Sequence, residues 1–341
     1  MNHPKKGVLL VNLGTPNSYQ VGDVRTYLKE FLLDERVIDI HPIPRNLLVR
    51  GIIGPFRAPK SAKTYQKIWT DEGSPLLVYS NRMKTSLQQL LGDEYVVALA
   101  MRYQQPSIEM GLDSLRRQQV SSITILPLFP QYASATTGSI HQRVMEIVSR
   151  WQSIPAINFV NSFYREPKMI ETFANNGKAF NIDSYDHILF SYHGLPERQL
   201  CKADDSQQHC LKKENCCEHL VPNNQFCYGA QCFATSQAIA QELGIEKEKY
   251  SICFQSRLGR AAWLKPYTSK VIEQLAQQGK KRVLVFCPAF VADCLETIFE
   301  IGEEYAEEFK AKGGETLTLV PSLNDHSLWI EALRDIIIHN S

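Results

Sequence analysis

Short runs of Val, Ile and Leu alternate along the chain with stretches whose apolar positions recur every three to four residues. The runs at residues 7–13, 95–101, 121–128, 187–192, 250–254, 282–286 and 316–320 predict strands. The periodic stretches at 21–33, 107–117, 139–151, 166–180, 235–243, 269–278, 293–310 and 327–339 predict helices. Strands that are apolar on successive residues are covered on both faces, which predicts parallel sheets and an α/β class. The run Leu126-Pro127-Leu128-Phe129-Pro130-Gln131 before one helix has a counterpart in Val285-Phe286-Cys287-Pro288-Ala289-Phe290 before another. That duplication predicts two Rossmann-like domains, 1–165 and 166–341, with a cleft between them at the carboxyl ends of the strands. No strand runs into G-x-G-x-x-G or G-x-x-x-x-G-K-[ST], so neither a dinucleotide nor a nucleoside triphosphate is indicated.

Composition narrows the function classes. The 341 residues carry 37 Lys plus Arg against 36 Asp plus Glu, a net charge of +1 without a basic run, so nothing points to nucleic acid as a partner. After Met1-Asn2-His3-Pro4-Lys5-Lys6, the apolar run is short and interrupted by Asn12, which reads as a first buried strand rather than a signal peptide. No stretch approaches the ~18–20 apolar residues that span a bilayer, and a cytoplasmic protein, or one on the inner face of a membrane, is predicted. Of nine cysteines, six lie between Cys201 and Cys232; in a reducing compartment such clustering points to thiols or metal ligands before disulfides.

Three places carry candidate chemistry. His193 follows the strand at 187–192 and precedes Gly194-Leu195-Pro196, where a turn would project its imidazole beyond the strand end. It reads as a structural histidine or as a proton acceptor and metal ligand. On a regular helix from Asp293, the carboxylates of Asp293, Glu296, Glu300, Glu303 and Glu304 share an arc of roughly 100°. No Lys or Arg occurs from Asp293 through Phe309, so this row is either a solvated face or a path for a divalent cation or protons. The small hydroxyl residues from Ser134 to Ser139 either cap the following helix or line a surface that a flat ligand approaches closely.

Taken in order, several motifs resemble the ferrochelatases, the enzymes that insert Fe(II) into a porphyrin in haem synthesis. The resemblance runs through Val11-Asn12-Leu13-Gly14-Thr15-Pro16, Phe31-Leu32-Leu33-Asp34, Arg57-Ala58-Pro59-Lys60, Gly73-Ser74-Pro75-Leu76 and Arg102-Tyr103. It continues through Pro130-Gln131-Tyr132 to Thr136-Thr137-Gly138-Ser139, Ser191-Tyr192-His193-Gly194-Leu195-Pro196, Gln255-Ser256-Arg257-Leu258-Gly259 with Trp263-Leu264, and Asp293-Cys294-Leu295-Glu296-Thr297. It implies a class II chelatase-like fold with the macrocycle held between two Rossmann-like domains. His193 and Glu296 match the family's His and Glu, and both would be catalytic and would bind the substrate iron. Glu300 and Glu304 would extend a proton or metal relay toward solvent. Arg57 would pair with a propionate, Tyr65 and Ser74 would donate hydrogen bonds, and Tyr132, Met101 and Trp263 would wall the ring. By the same likeness, residues 46–57 would form an active-site lip that touches the bilayer; a buried helix with a turn is the other reading of that segment. The expected substrates are protoporphyrin IX and ferrous iron. Coproporphyrin III, or a haem or iron sensor on the same scaffold, is the alternative. Ser269 stands where many members have Asp, so no acid is expected there.

The cysteine-rich segment at 201–232 departs from the shorter bacterial members. Some ferrochelatases hold a 2Fe-2S cluster, and the resemblance assigns one here to four of Cys201, Cys210, Cys216, Cys217 and Cys227. Zinc, with His209 and His219 as further ligands, or unligated thiols are the other readings, while Cys232 belongs to an ordinary helix start. The sequence implies no oligomeric state.

Overall fold

The computed structural model describes residues 4–257, 259 and 261–341. Met1, Asn2 and His3, and Leu258 of the Gln255–Gly259 motif, lie outside the described residues. Two compact units emerge. One takes in residues 4–129, Ala133–Asn161 and Trp329–Ser341, and the other Pro130–Tyr132 and Ser162–Leu328.

The first unit contains β1 (Lys6–Gly14), α1 (Val21–Leu33), α2 (Pro42–Leu47), α3 (Gly54–Ile68), α4 (Pro75–Leu91), β2 (Tyr95–Tyr103), α5 (Ile108–Arg117), β3 (Ser122–Pro127), α6 (Ser139–Val148) and β4 (Ala156–Phe159). The second contains α7 (Pro167–Lys178), β5 (His187–His193), α8 (Glu197–Lys202), α9 (Tyr228–Glu242), β6 (Tyr250–Gln255), α10 (Thr268–Gln277), β7 (Arg282–Phe286), α11 (Ala306–Ala311) and β8 (Thr316–Leu319). Helix α12 (Ser327–His339) closes the chain and lies mostly in the first unit.

Both sheets are parallel and share one order, β2-β1-β3-β4 and β6-β5-β7-β8, so the duplication expected from the two Pro-containing runs is a duplication of topology. It extends to detail. A β2 amide, Met101 N–H, bonds the carbonyl of Pro106 at 2.6 Å, and its β6 counterpart, Phe254 N–H, bonds that of Pro266 at 2.9 Å. In each unit a π-helical segment follows the third strand of the chain order, at Ser134–Gly138 and at Leu295–Tyr305.

Each sheet is covered as its apolar runs require. Leu9, Val11, Ile123 and Ile125 meet Ile108, Leu112, Ile140 and Val144 of α5 and α6 in the first core. Leu189, Val283 and Val285 meet Ile272, Leu275 and Phe309 in the second. Burying side chains of this size stabilises by roughly 1.5–3 kcal/mol each before the entropy of ordering them is set against it.

The units divide differently from the expected 1–165 and 166–341. Trp329, at the start of α12, is fully buried with its indole N–H 3.1 Å from Met83 Sδ of α4, which anchors the last helix in the first unit. Five of the named elements, β4, α2, α3, α4 and α8, escaped the hydrophobic pattern. Strand β4 is a four-residue edge strand with little burial, and so has no apolar run. Helix α3 carries Pro55 in its first turn and Pro59 inside it, and α2 joins it through a π-helical segment at Leu48–Ile53, so its apolar residues keep no single period.

Candidate active site

His193 ends β5, paired in register with Gln255 at the end of β6. The backbone turns at once: Gly194 N–H donates to Gln255 O at 2.8 Å, and Leu264 N–H donates to Leu195 O at 2.9 Å. A Cβ on Gly194 would lie 2.9 Å from Gln255 O and 3.2 Å from Trp263 Cε3, so the turn is closed to any side chain. The Tyr228 hydroxyl of α9 donates to His193 O at 2.9 Å, and the Trp263 ring lies 6.4 Å from the imidazole. His193 Nδ1 is 2.7 Å from Gly194 O. A carbonyl only accepts, so Nδ1 carries a proton, and in the neutral ring it is then Nε2 that presents the lone pair able to take a proton or bind a metal.

The acidic segment is not the regular helix expected from Asp293. It is π-helical over Leu295–Tyr305 and becomes α-helical only in α11. Hydrogen bonding to the fifth rather than the fourth residue changes which side chains share a face, and the expected five-carboxylate arc breaks up. Asp293 is structural: it accepts from Thr297 Oγ1 at 3.1 Å, Ser322 N–H at 3.2 Å and Asn324 Nδ2 at 2.8 Å. Glu296 and Glu300 are half-buried and Glu304 is exposed. Burial pushes the Glu300 carboxyl up, as does the charge of Glu296, while a hydrogen bond from Ser256, the field of His193 and a hydrogen bond from Gln255 draw it down. Glu300 therefore interacts with both His193 and Glu296.

Tyr132 joins the same unit. Its N–H donates to Gln231 Oε1 of α9 at 2.7 Å, and its neighbour Gln131 donates to Thr235 Oγ1 at 3.0 Å on that helix. Helix α9 thus fixes both Tyr132 and His193.

Arg57, Tyr65 and Ser74 lie in the first unit. Arg57 is exposed on α3. Tyr65, on the same helix, is buried edge-on to Tyr27 and Trp69, each 6.3 Å away. Ser74 Oγ accepts from Thr15 Oγ1 at 2.8 Å, which leaves the Ser74 proton to be donated elsewhere. Gly14 holds this corner with φ +117°; a Cβ there would overlap Tyr103 O. Met101, expected on a ring wall, is fully enclosed in the core of β2. Pattern reading missed a buried network beside it: Asp34 Oδ2 accepts from Arg102 Nη2 at 2.6 Å, Tyr103 Oη at 2.8 Å and Ser139 Oγ at 2.5 Å. Three of the motifs quoted above meet in that one carboxylate.

The thiols of the 201–232 segment gather at the start of α9. Hydrogen bonds from Cys210 and Cys217, helped by the Ala230 and Gly229 amides and opposed by burial, draw the Cys227 thiol down to about 3; Cys210 and Cys217 are pushed up in turn. Cys201 and Cys216 act electrostatically on Cys210, and Cys216 Sγ lies 3.8 Å from Cys217 Sγ. Asp204 ties the loop by accepting from His209 N–H at 2.9 Å and Cys210 N–H at 2.8 Å. Cys232 is fully buried inside α9, away from any ligand role. Among the described residues, no three His, Cys, Asp or Glu side chains are grouped so as to hold a metal ion. The donor chemistry itself, several thiols around one stabilised thiolate, suits an iron-sulfur cluster.

A family model, "Ferrochelatase", matches residues 5–341. The chain belongs to the ferrochelatase family. The ferrochelatase of Legionella pneumophila (strain Philadelphia 1) is 46% identical over 333 residues, covering 98% of each chain, and that of Coxiella burnetii (strain RSA 493) is 45% identical, covering 97% of this chain and 93% of the relative. Membership makes the protein an enzyme of haem biosynthesis that inserts iron into a porphyrin, with Fe(II) as substrate. Among solved structures, SirB from Bacillus subtilis with Fe3+ shares the fold at a TM-score of 0.54 and 12% identity, over 98% of this ferrochelatase and 95% of that chain. No helix among the described residues is long and apolar enough to cross a membrane.

Proposed function

We propose that this ferrochelatase metallates protoporphyrin IX, with His193 and Glu296 as its catalytic pair. The reaction takes Fe(II) and a porphyrin bearing two pyrrole N–H groups to haem and two protons, so the site has to bind a cation and remove protons. The observation that carries the reading is the His193 ring held by its Nδ1 contact to Gly194 O, which leaves Nε2 as the reacting nitrogen, with Gln255 beside it bonding both the Glu296 carbonyl and the Glu300 carboxylate. His193 Nε2 accepts a pyrrole proton or binds the incoming iron, and Glu296 serves as metal ligand and proton acceptor. Glu300 and the exposed Glu304 pass protons or metal between this pair and solvent.

Arg57 is the cation for a propionate, Tyr65 and Ser74 are hydrogen-bond donors to the macrocycle, and Tyr132 is a ring contact. Anaerobic conversion of free-base to haem absorption bands, compared for protoporphyrin IX and coproporphyrin III, tests the substrate. We expect kcat/KM at least ~10-fold higher for protoporphyrin IX; the reverse order would move the assignment to coproporphyrin III.

The same proposal places a 2Fe-2S cluster on Cys201, Cys210, Cys227 and either Cys216 or Cys217. Such a cluster supplies redox-active iron bound by thiolates, and the depressed Cys227 thiol is already in the required form. The protein purified without oxygen should absorb at ~420–460 nm and contain iron and acid-labile sulfide, and Cys227→Ser should lose both. A colourless wild-type protein containing zinc would replace the cluster by a zinc site.

A peripheral contact with the inner face of a membrane fits residues 46–57, with Ile43 just before them. Ile43, Leu47, Ile52 and Phe56 are exposed there beside Arg50 and Arg57, Phe56 to 78%. A cytoplasmic location with that contact completes the proposal.

A further inference from the structure

Ser256 stands just after β6 with φ +65°, in the left-handed region that favours Gly or Asn. A strained backbone persists only where the surrounding structure imposes it, and such residues concentrate at functional sites. Here its hydroxyl donates to Glu300 Oε2 at 2.6 Å. Gln255, the preceding residue, donates through Nε2 to the same oxygen at 3.2 Å and to Glu296 O at 3.1 Å.

The amide of Gln255 has only one orientation open to it. Its Oε1 accepts from Ser191 Oγ at 2.7 Å, and Ser191 Oγ lies 3.1 Å from Thr268 Oγ1. Because a carboxylate and a carbonyl only accept, the nitrogen faces the acidic segment and the oxygen faces Ser191. Gln255, Ser191 and Thr268 are all buried, so this chain of hydrogen bonds is shielded from competing water. Gln255 also accepts the Gly194 N–H through its main-chain carbonyl. One residue therefore touches the His193 turn, the main chain at Glu296 and the carboxylate of Glu300.

We propose that Ser256 is a positioning residue for the metallation reaction, its left-handed backbone aiming a hydroxyl that, together with Gln255, clamps the Glu300 carboxylate in a single placement toward Glu296 and His193. This rests on the relay role given to Glu300 above. A glutamate has three rotatable side-chain bonds, and two donors on one oxygen remove that freedom before substrate arrives.

Ser256→Gly is the informative variant, because glycine accepts φ +65° without strain and removes only the hydroxyl. We expect kcat to fall about tenfold with KM for porphyrin and for Fe(II) unchanged, and the thermal midpoint to stay level or rise. In a Glu300→Gln background the same change should have no further effect on kcat, because Ser256 acts through that carboxylate. An equal loss in both backgrounds, or a lowered thermal midpoint accompanying the loss, would make Ser256 merely structural and overturn the proposal. Unchanged kcat in Ser256→Gly beside an impaired Glu300→Gln would overturn the clamp alone. Full activity in Glu300→Gln would overturn the relay reading and the clamp with it.

Discussion

His193→Ala should lower kcat about a thousandfold while leaving the protein folded, within the range by which a positioned acid or base accelerates a reaction. The side chain lies half-buried at the end of β5, and its hydrogen bond is to the next carbonyl in the chain. Truncation therefore removes one local bond and opens no core cavity, so the thermal midpoint should barely move. His193→Asn sharpens the test. Its amide nitrogen can still donate to Gly194 O as Nδ1 does, which keeps the turn, but it offers no basic lone pair in place of Nε2. Steady-state metallation of protoporphyrin IX by both variants, with porphyrin binding followed by fluorescence, separates the roles. If Asn restored more than a tenth of wild-type kcat, His193 would be holding the turn rather than accepting protons or binding iron.

How far the site could be read from the chain depends on the period of each element. The parallel strands were legible because Val8 to Val11, Ile188 to Phe190 and Val283 to Phe286 are apolar on consecutive residues, and only a strand covered on both faces needs that. The position of His193 at a strand end followed directly. The acidic segment was legible in composition and not in geometry. The same carboxylates and apolar residues satisfy a 3.6-residue period on paper, and nothing local marks the wider winding. Asp293 looked like one more carboxylate because its partners, Ser322 and Asn324, lie 29 and 31 positions away along the chain. Ser256 was quoted only as part of a motif, since a left-handed serine has no compositional signature. Helix α3 was hidden by its prolines. The cysteines were visible by spacing, yet spacing did not single out Cys227, whose distinction is to cap the N-terminus of α9 under the amides of Gly229 and Ala230.

Asp34→Ala should be the most damaging substitution away from the reacting groups, destabilising the protein by about 3–5 kcal/mol, the usual result of removing one partner of a buried ion pair. Asp34 and Arg102 are only 7% and 18% exposed, so the guanidinium would be left largely out of water with its anion gone. Tyr103 Oη and Ser139 Oγ would lose their acceptor at the same time, and the Arg36 N–H its bond to Asp34 Oδ1 at 2.8 Å. Against a typical net stability of about 5–15 kcal/mol, that is a large fraction. The pH dependence has a defined sign. Burial raises the Asp34 pKa, but the hydrogen bonds from Ser139 and Arg36, the charge of Arg102 and the bond from Tyr103 outweigh it, so the folded value lies below the ordinary 3.8. A carboxyl depressed in the folded state contributes its stability above the unfolded pKa and loses it as pH falls through the folded pKa. Urea unfolding at neutral pH and again below about pH 3 should therefore show wild type and Asp34→Ala far apart in the first case and closer in the second. A gap that stayed constant across that range would mean that packing around Asp34, and not its charge, holds the network. The three motif segments joined there would then be linked by shape alone.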